Sequence, residues 1–429
     1  MMEIRVIKAD TAARKVRPKD SELDFGKFTT DHMFMMEHSR QKGWHHARLI
    51  PYQDLKLDPT AMVLHYNQEV FEGLKAYNLT SGEIGLFRPE ENAARINASA
   101  KRMVMPEVES ELFIRAVKEL VLLDREWIPR SEGTSLYIRP TMIATEPALG
   151  VRPSTQYLFY IIASPVGSYY PEGFSPTKIL VSDTHVRAVR GGVGDAKTSG
   201  NYGATLLAYQ EAVQRGCTQV LWMDAEKREY IEEVGTSNIF LLLDHELITP
   251  PLEGTILAGV TRDSVLQLAG HWGLDVTERP ISINEIIEGS RSGSLREMFA
   301  TGTAAVISPV GKIHYKGKDI VIGDGNTGEL SQKLYKEITD MQYGRKEDPF
   351  GWMVIVRARV AAVPGRGRGV GGRGRRNLRH QPRRVVQRVG GSQLSAPAGR
   401  DGGDPAGGGG LPGAGREGDR CPIRSTGPA

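Results

Sequence analysis

The folded part of this chain has to be built from its first 356 residues, because the remainder cannot make a core. From Arg357 to Ala429 there are 15 Arg, no Lys, four acids and 19 of the 49 Gly, in runs such as GRGRGVGGRGRR and AGGGGLPGAG. Such a segment buries too little apolar surface to offset the entropy of ordering it, and it reads as disordered. Two meanings stay open for it. Arg/Gly repeats contact RNA by charge and stacking, and a GC-rich gene translated in a shifted frame gives the same composition. The tail also distorts the charge. The whole chain carries +4, the tail alone +11, and the body therefore −7. The basic pI belongs to the tail, and no nucleic-acid binding is expected of the body.

The chain as a whole is 40 % hydrophobic, which leaves the body enough for real cores. Its start, MMEIRVIKAD, is too charged for a signal peptide, and no apolar run is long enough to cross a bilayer. Cys217 and Cys421 are the only cysteines, which excludes a disulfide framework and a thiolate metal site and fits a cytoplasmic setting. A Pro/Gly/Ser-rich stretch around SPVGSYYPEGFSP suggests a connector over 167–177, between an N-terminal domain (1–166) and a larger one (178–356), with the tail at 357–429. Strands are predicted at 157–163 and 178–182, a hairpin over 230–249, and helices over 111–124, 204–215 and 261–272. Leu206, Tyr209 and Val213 form one face of the second helix; Val265, Leu268, Ala269 and Trp272 form the buried stripe of the third. The class is α/β, of α+β type.

The chemistry concentrates in Gly191–Gly203, GGVGDAKTSGNYG, where five glycines surround Lys197. Such a lysine is either a fixed charge for phosphate or a nucleophile toward a carbonyl. GGVGDAKT is one residue short of a phosphate-loop pattern, and VLWMD downstream resembles a metal-binding strand end. Against that reading, Ala196 stands where the loop needs a glycine, and Thr-Ser-Gly-Asn interrupts the helix that should hold the phosphates. The carbonyl reading needs partners. Pyridoxal phosphate requires a carboxylate at its ring nitrogen, a phenol or similar group at its ring hydroxyl, and an anion site. Tyr202 offers the phenol. Glu232-Glu233, followed by Gly235-Thr236-Ser237, offers carboxylates beside a hydroxyl-bearing turn. Each alone is as readily a packed tyrosine or a solvated acidic face.

GGVGDAKTSGNYG together with EEVGTSNIF resembles the signature of fold-type IV pyridoxal-phosphate enzymes, and specifically of the branched-chain amino acid aminotransferases. The resemblance runs through FGKFTTDHMF, LHYNQEVFEGLKAY, LFRPEENAARI, LYIRPTMIATEPALGV and ATGTAAVISPV, and reaches YGRKEDPFGWMV, where the tail begins. It implies a two-domain fold with pyridoxal 5′-phosphate between the domains, a homodimer, and transamination between Leu, Ile or Val and 2-oxoglutarate. D-amino-acid transaminases and aminodeoxychorismate lyases share the fold and remain alternatives.

Residue by residue, the resemblance implies Lys197 as the Schiff-base lysine and proton carrier. Glu233 would pair with the ring nitrogen, with Glu232 exposed, and Tyr202 would bond the ring hydroxyl. Arg95, the backbone of Val260 and Thr261, and Thr303 would hold the phosphate, with Thr236 at the same end. For substrate it implies walls at Phe25, Tyr66, Phe71, Tyr137, Val151 and Tyr169. Arg139 and the Tyr66 hydroxyl would take a second carboxylate, and the Thr303-Ala304 amides the α-carboxylate. No metal is implied.

Overall fold

The computed structural model describes residues 2–167 and 174–357. The tail expectation, Tyr169 and most of the connector lie outside the described residues.

Two nine-stranded sheets dominate the described residues. In the first, the order is Arg5–Val6, Gly43–Pro51, His32–Ser39, Gln156–Val166, Ser135–Ala144, Leu74–Asn78, Ile84–Phe87 and Met353–Val356, with Glu69–Phe71 also paired to Ser135–Ala144. Period-two alternation sorts its side chains. Phe34 and Met36 face the helices Pro89–Arg102 and Ser110–Leu123, where Ile96, Phe113, Val117 and Leu120 close a core. Met33 and Met35 turn to a smaller cluster with Ile50 and Ile143. The last strand, Met353–Val356, crosses back from the second half of the sequence to pair antiparallel with Ile84–Phe87.

The second sheet contains Ile231–Val234, Gln219–Met223, Thr177–Val181, Val306–Tyr315, Leu295–Gly302 and Ser237–Leu243 in that order. Ile231–Val234 pairs with Ser237–Leu243 as well as with Gln219–Met223, so these six strands close on themselves as a barrel. Ile179, Leu221, Ile239, Leu241, Met298 and Ile313 belong to its core. Glu246–Thr249, Asp275–Glu278 and Lys318–Val321 extend the sheet. The predicted hairpin is present as Ser237–Leu243 with Glu246–Thr249.

Helix Val260–His271 buries Val265, Leu268 and Ala269 against Phe240 and Phe299, the stripe its sequence predicted. Helix Leu206–Gln214 presents its expected apolar face to solvent. Ala208 and Ala212 face Leu180, Val220 and Trp222, while Leu206, Tyr209 and Val213 are 65 %, 44 % and 52 % exposed. Two alanines let the helix axis lie close on the barrel, which turns the larger apolar side chains outward.

Candidate active site

The loop that carries Lys197 comes after strand Thr177–Val181 and leads into the short helix Ser199–Gly203. Asn201 Nδ2 cinches it by donating to Val193 O (2.7 Å) and Ala196 O (2.9 Å). At Gly194 a Cβ would lie 2.5 Å from Ala188 Cβ and 2.6 Å from Thr255 O, so no larger residue fits. The lysine's own peptide groups are held by residues of the first sheet and its helices. Lys197 N–H donates to Ser99 Oγ (2.9 Å), and Lys197 O accepts from Phe71 N–H (3.0 Å). Its Nζ donates to the Tyr202 hydroxyl (3.1 Å) and lies 5.1 Å from the centre of the Phe71 ring. Thr198 Oγ1 and Thr301 Oγ1 are buried without a hydrogen-bond partner.

Glu233 stands on Ile231–Val234 and is 2 % exposed. Its Oε1 accepts from Asn238 Nδ2 (3.0 Å) and Leu257 N–H (3.1 Å), and its Oε2 lies 2.9 Å from Arg187 Nε. Burial raises its carboxyl above the usual range, against the opposing pull of Arg187, the Leu257 amide and Lys197. Glu233, Tyr202 and Thr236 line one small recess, with Thr236 at its exposed edge. Glu232 corrects the sequence reading. It is 7 % exposed, not solvated, because both faces of its strand are covered. Its Oε1 accepts from Thr255 Oγ1 (2.6 Å), and burial raises its carboxyl too.

Arg95 reaches the same region from helix Pro89–Arg102. Nε and one terminal nitrogen donate to Glu72 (2.7 and 2.9 Å), and the other terminal nitrogen donates to Ala258 O (2.9 Å). Of its five N–H groups, two remain for a ligand. Burial would raise Glu72, which is fully buried, but Arg95, Lys197 and Asn92 overcome this and hold it below its ordinary range. The Ala258 contact brings Arg95 to the start of helix Val260–His271, where Val260 and Thr261 sit and where no side chain caps the backbone. A Cβ at Gly259 would fall 1.9 Å from Asn238 Oδ1, which fixes glycine there. Segment 255–258 is therefore a hub that touches Glu232, Arg187, Glu233, Asn238 and Arg95.

Of the residues expected to contact a substrate, the structure brings together Phe25, Tyr137, Arg139 and Phe71. Phe25 and Tyr137 meet edge to face at 4.9 Å, and the Arg139 guanidinium lies 4.6 Å from the Phe71 ring centre and donates to the Tyr137 hydroxyl (2.8 Å). Phe71 in turn lies 4.9 Å from Tyr202. Arg139 Nε is buried without a hydrogen-bond partner. Thr303 and Ala304 occupy the turn between Leu295–Gly302 and Val306–Tyr315, half-buried, and Ala304 O accepts from Lys75 Nζ (2.7 Å). Two residues lie apart from this group. The Tyr66 hydroxyl donates to Leu149 O, and Val151 is 84 % exposed.

Sequence reasoning missed Glu72, Lys75, Ser99, Arg187 and Asn238. Glu72 and Lys75 left a trace, as charges inside the apolar run VFEGLKAY. The others look like ordinary polar residues until the hub is seen. The donor set suits pyridoxal phosphate: an amine beside a phenol, a buried carboxylate, and an arginine with spare N–H groups at an uncapped helix start.

A family profile, amino-transferase class IV, matches residues 69–313. Among curated proteins, "Branched-chain-amino-acid aminotransferase 2" of Bacillus subtilis (strain 168) is 51 % identical over 348 residues, covering 81 % of this chain and 96 % of that protein. Two solved structures superpose over 76 % of this chain. The branched-chain amino acid aminotransferase of Escherichia coli does so with TM-score 0.64, at 27 % identity and over 99 % of its own length. The branched-chain amino acid aminotransferase of Thermobaculum terrenum, in its PLP form, does so with TM-score 0.61, at 25 % identity and over 98 % of its length.

Proposed function

Because this chain belongs to the amino-transferase class IV family, we propose that it moves the amino group of leucine, isoleucine or valine to 2-oxoglutarate, giving the branched 2-oxo acids and glutamate. Pyridoxal 5′-phosphate, when bound, supplies the electron sink that lets the substrate α-carbon lose its proton. The observation that carries the reading is the Lys197 amine beside Tyr202, with Glu233 lining the same recess as Tyr202. Lys197 would hold the cofactor through its amine and would carry the proton taken from the substrate α-carbon. Glu233 would stabilise a charged ring nitrogen, Tyr202 would orient the ring hydroxyl, and Arg95, Val260, Thr261, Thr303 and Thr236 would hold the phosphate. Phe25, Phe71 and Tyr137 give a substrate side chain apolar walls, and Arg139, Nε unsatisfied, takes the second carboxylate of the glutamate partner. Such walls separate substrates differing by one methylene by only about 1–3 kcal/mol, so all three branched substrates are accepted. The test is the visible spectrum of purified protein, followed as leucine and then 2-oxoglutarate are added. It should bleach and return. Lys197→Ala should show no such cycle and no turnover, and turnover retained by that variant would end the reading.

We also propose that 1–166 and 178–356 act as two domains around the cofactor, in the cytoplasm, and that the enzyme is a homodimer. The exposed Leu206, Leu207, Tyr209 and Val213 on one helix support the last point, since a second copy would cover them. Among the described residues no helix is long and apolar enough to cross a membrane. Sedimentation of the Leu206→Glu/Val213→Glu variant tests the dimer: loss of the dimeric species is expected if that helix lies in the interface.

A further inference from the structure

A second cluster of ligating side chains lies on the first sheet, with no part in the site above. Strands His32–Ser39 and Gly43–Pro51 pair antiparallel, but the register slips between Met35↔Arg48 and Glu37↔His45, so His46 and Ala47 together oppose Met36. This is a β-bulge, and His46 takes a left-handed conformation, φ 55°. In a regular strand two successive side chains point to opposite faces. Here the bulge breaks the alternation, and the His45 and His46 rings come within 4.7 Å of each other, centre to centre.

Both rings address one carboxylate oxygen. Glu37 Oε2 lies 3.3 Å from His46 Nδ1 and 3.9 Å from His45 Nε2, and the three atoms all fall within 4.8 Å of one another. His45 Nδ1 lies 2.9 Å from Gly43 O, which only accepts, so the proton of the neutral ring sits on Nδ1 and the lone pair of Nε2 faces Glu37. A backbone carbonyl that fixes the tautomer in this way is the usual support of a metal-ligating histidine. Arg48 occupies the other oxygen, Oε1 (2.9 Å), and also donates to His46 O (2.9 Å), which holds two of the three ligands in place. With metal–ligand bonds of about 2.0–2.1 Å, neighbouring ligand atoms of a tetrahedral zinc lie roughly 3.4 Å apart. The 3.3 Å edge already meets this and the 3.9 Å edge needs only a small ring movement.

We propose that Glu37, His45 and His46 form a binding site for a divalent cation of zinc's class, with water as the fourth ligand. The cation staples the bulge of the Gly43–Pro51 strand. Two imidazoles and one carboxylate select zinc over magnesium or calcium, which prefer all-oxygen shells. The neighbouring Arg48 charge holds the affinity to the micromolar range.

The experiment is calorimetric titration of metal-stripped holoenzyme with zinc chloride at pH 7.5, repeated with cobalt to read ligand-field bands. The variants are Glu37→Gln, His45→Gln and His46→Asn, the last chosen because asparagine tolerates the left-handed backbone. One zinc per chain is expected, with each variant binding at least about tenfold more weakly while retaining full transaminase activity as proof of folding. Absence of binding at about 100 µM zinc would overturn the proposal. So would unchanged affinity and stoichiometry in the three variants, which would place the metal at other histidines.

Discussion

Replacing Glu72 with Gln isolates the group that orients Arg95. The wild-type carboxylate is fully buried and accepts four hydrogen bonds, from Gly73 N–H (3.0 Å), Asn92 (2.7 Å) and Arg95 twice (2.7 and 2.9 Å). The Arg95 side chain is only 10 % exposed, so the substitution leaves a cation with little water and no counter-charge. Removing one partner of a buried pair costs about 3–5 kcal/mol. Glutamine keeps the shape and one acceptor oxygen, worth about 1 kcal/mol, so a net loss of about 2–4 kcal/mol is expected near neutral pH. Urea unfolding of the apoprotein, compared at equal slope, reads it directly. The folded state depresses the Glu72 pKa, so its contribution is complete above the unfolded value of 4.5 and is lost as pH falls through the folded one. The gap between wild type and variant should therefore narrow in acid. It should also narrow when saturating cofactor is added, because a phosphate supplies Arg95 with negative charge. A loss below about 1 kcal/mol at neutral pH would refute the reasoning, as would a gap that ignores both acid and phosphate.

Three further outcomes are expected. Glu233→Gln should still bind cofactor, through Arg95 and the helix start, yet slow turnover by orders of magnitude in single-turnover assays. Glu232→Gln, which keeps an acceptor for Thr255 Oγ1, should cost far less, and the reverse ranking would mean the carboxylates are misassigned. Arg139→Met should weaken the glutamate half-reaction much more than the leucine half-reaction, because only glutamate brings a second carboxylate that needs a donor; equal losses would make Arg139 structural. Burial brings the Lys75 pKa from 10.5 down to about 8. Between those values the unfolded chain holds a proton that the folded one has released, so stability rises with pH there, and Lys75→Met should remove that rise from the urea midpoints.

The sequence exposed what short-range chemistry dictates. Helix Val260–His271 was legible because Val265, Leu268 and Ala269 recur at helical spacing and all three are buried. Lys197 stood out because one amine among five glycines is unusual, whereas Tyr202 and the choice of Glu233 over Glu232 came from the resemblance to a known family. For helix Leu206–Gln214 the apolar face was legible but its covering was not, since a hydrophobic stripe does not say whether its own chain will bury it, and two alanines took the inner side. Glu232 was misread because two adjacent strand residues are buried together only when both faces are covered, and barrel closure is a long-range event. The pairing of Glu72 with Arg95 spans two separate elements, and no local pattern announces it. Nor does any pattern show a register slip, so nothing in the sequence announces that His45 and His46 meet at one carboxylate.

The anchoring of Lys197 carries a last consequence. Its N–H donates to Ser99 and its C=O accepts from Phe71, residues far upstream in the first sheet and its helices. The Lys197 backbone therefore owes part of its anchoring to the other half of the chain. A fragment holding only 178–356 would keep the loop and lose its moorings. Damage to the packing of Phe71 or Ser99 would appear in the laboratory as an enzyme that retains its fold and its lysine yet reacts slowly, a chemical lesion with a mechanical cause.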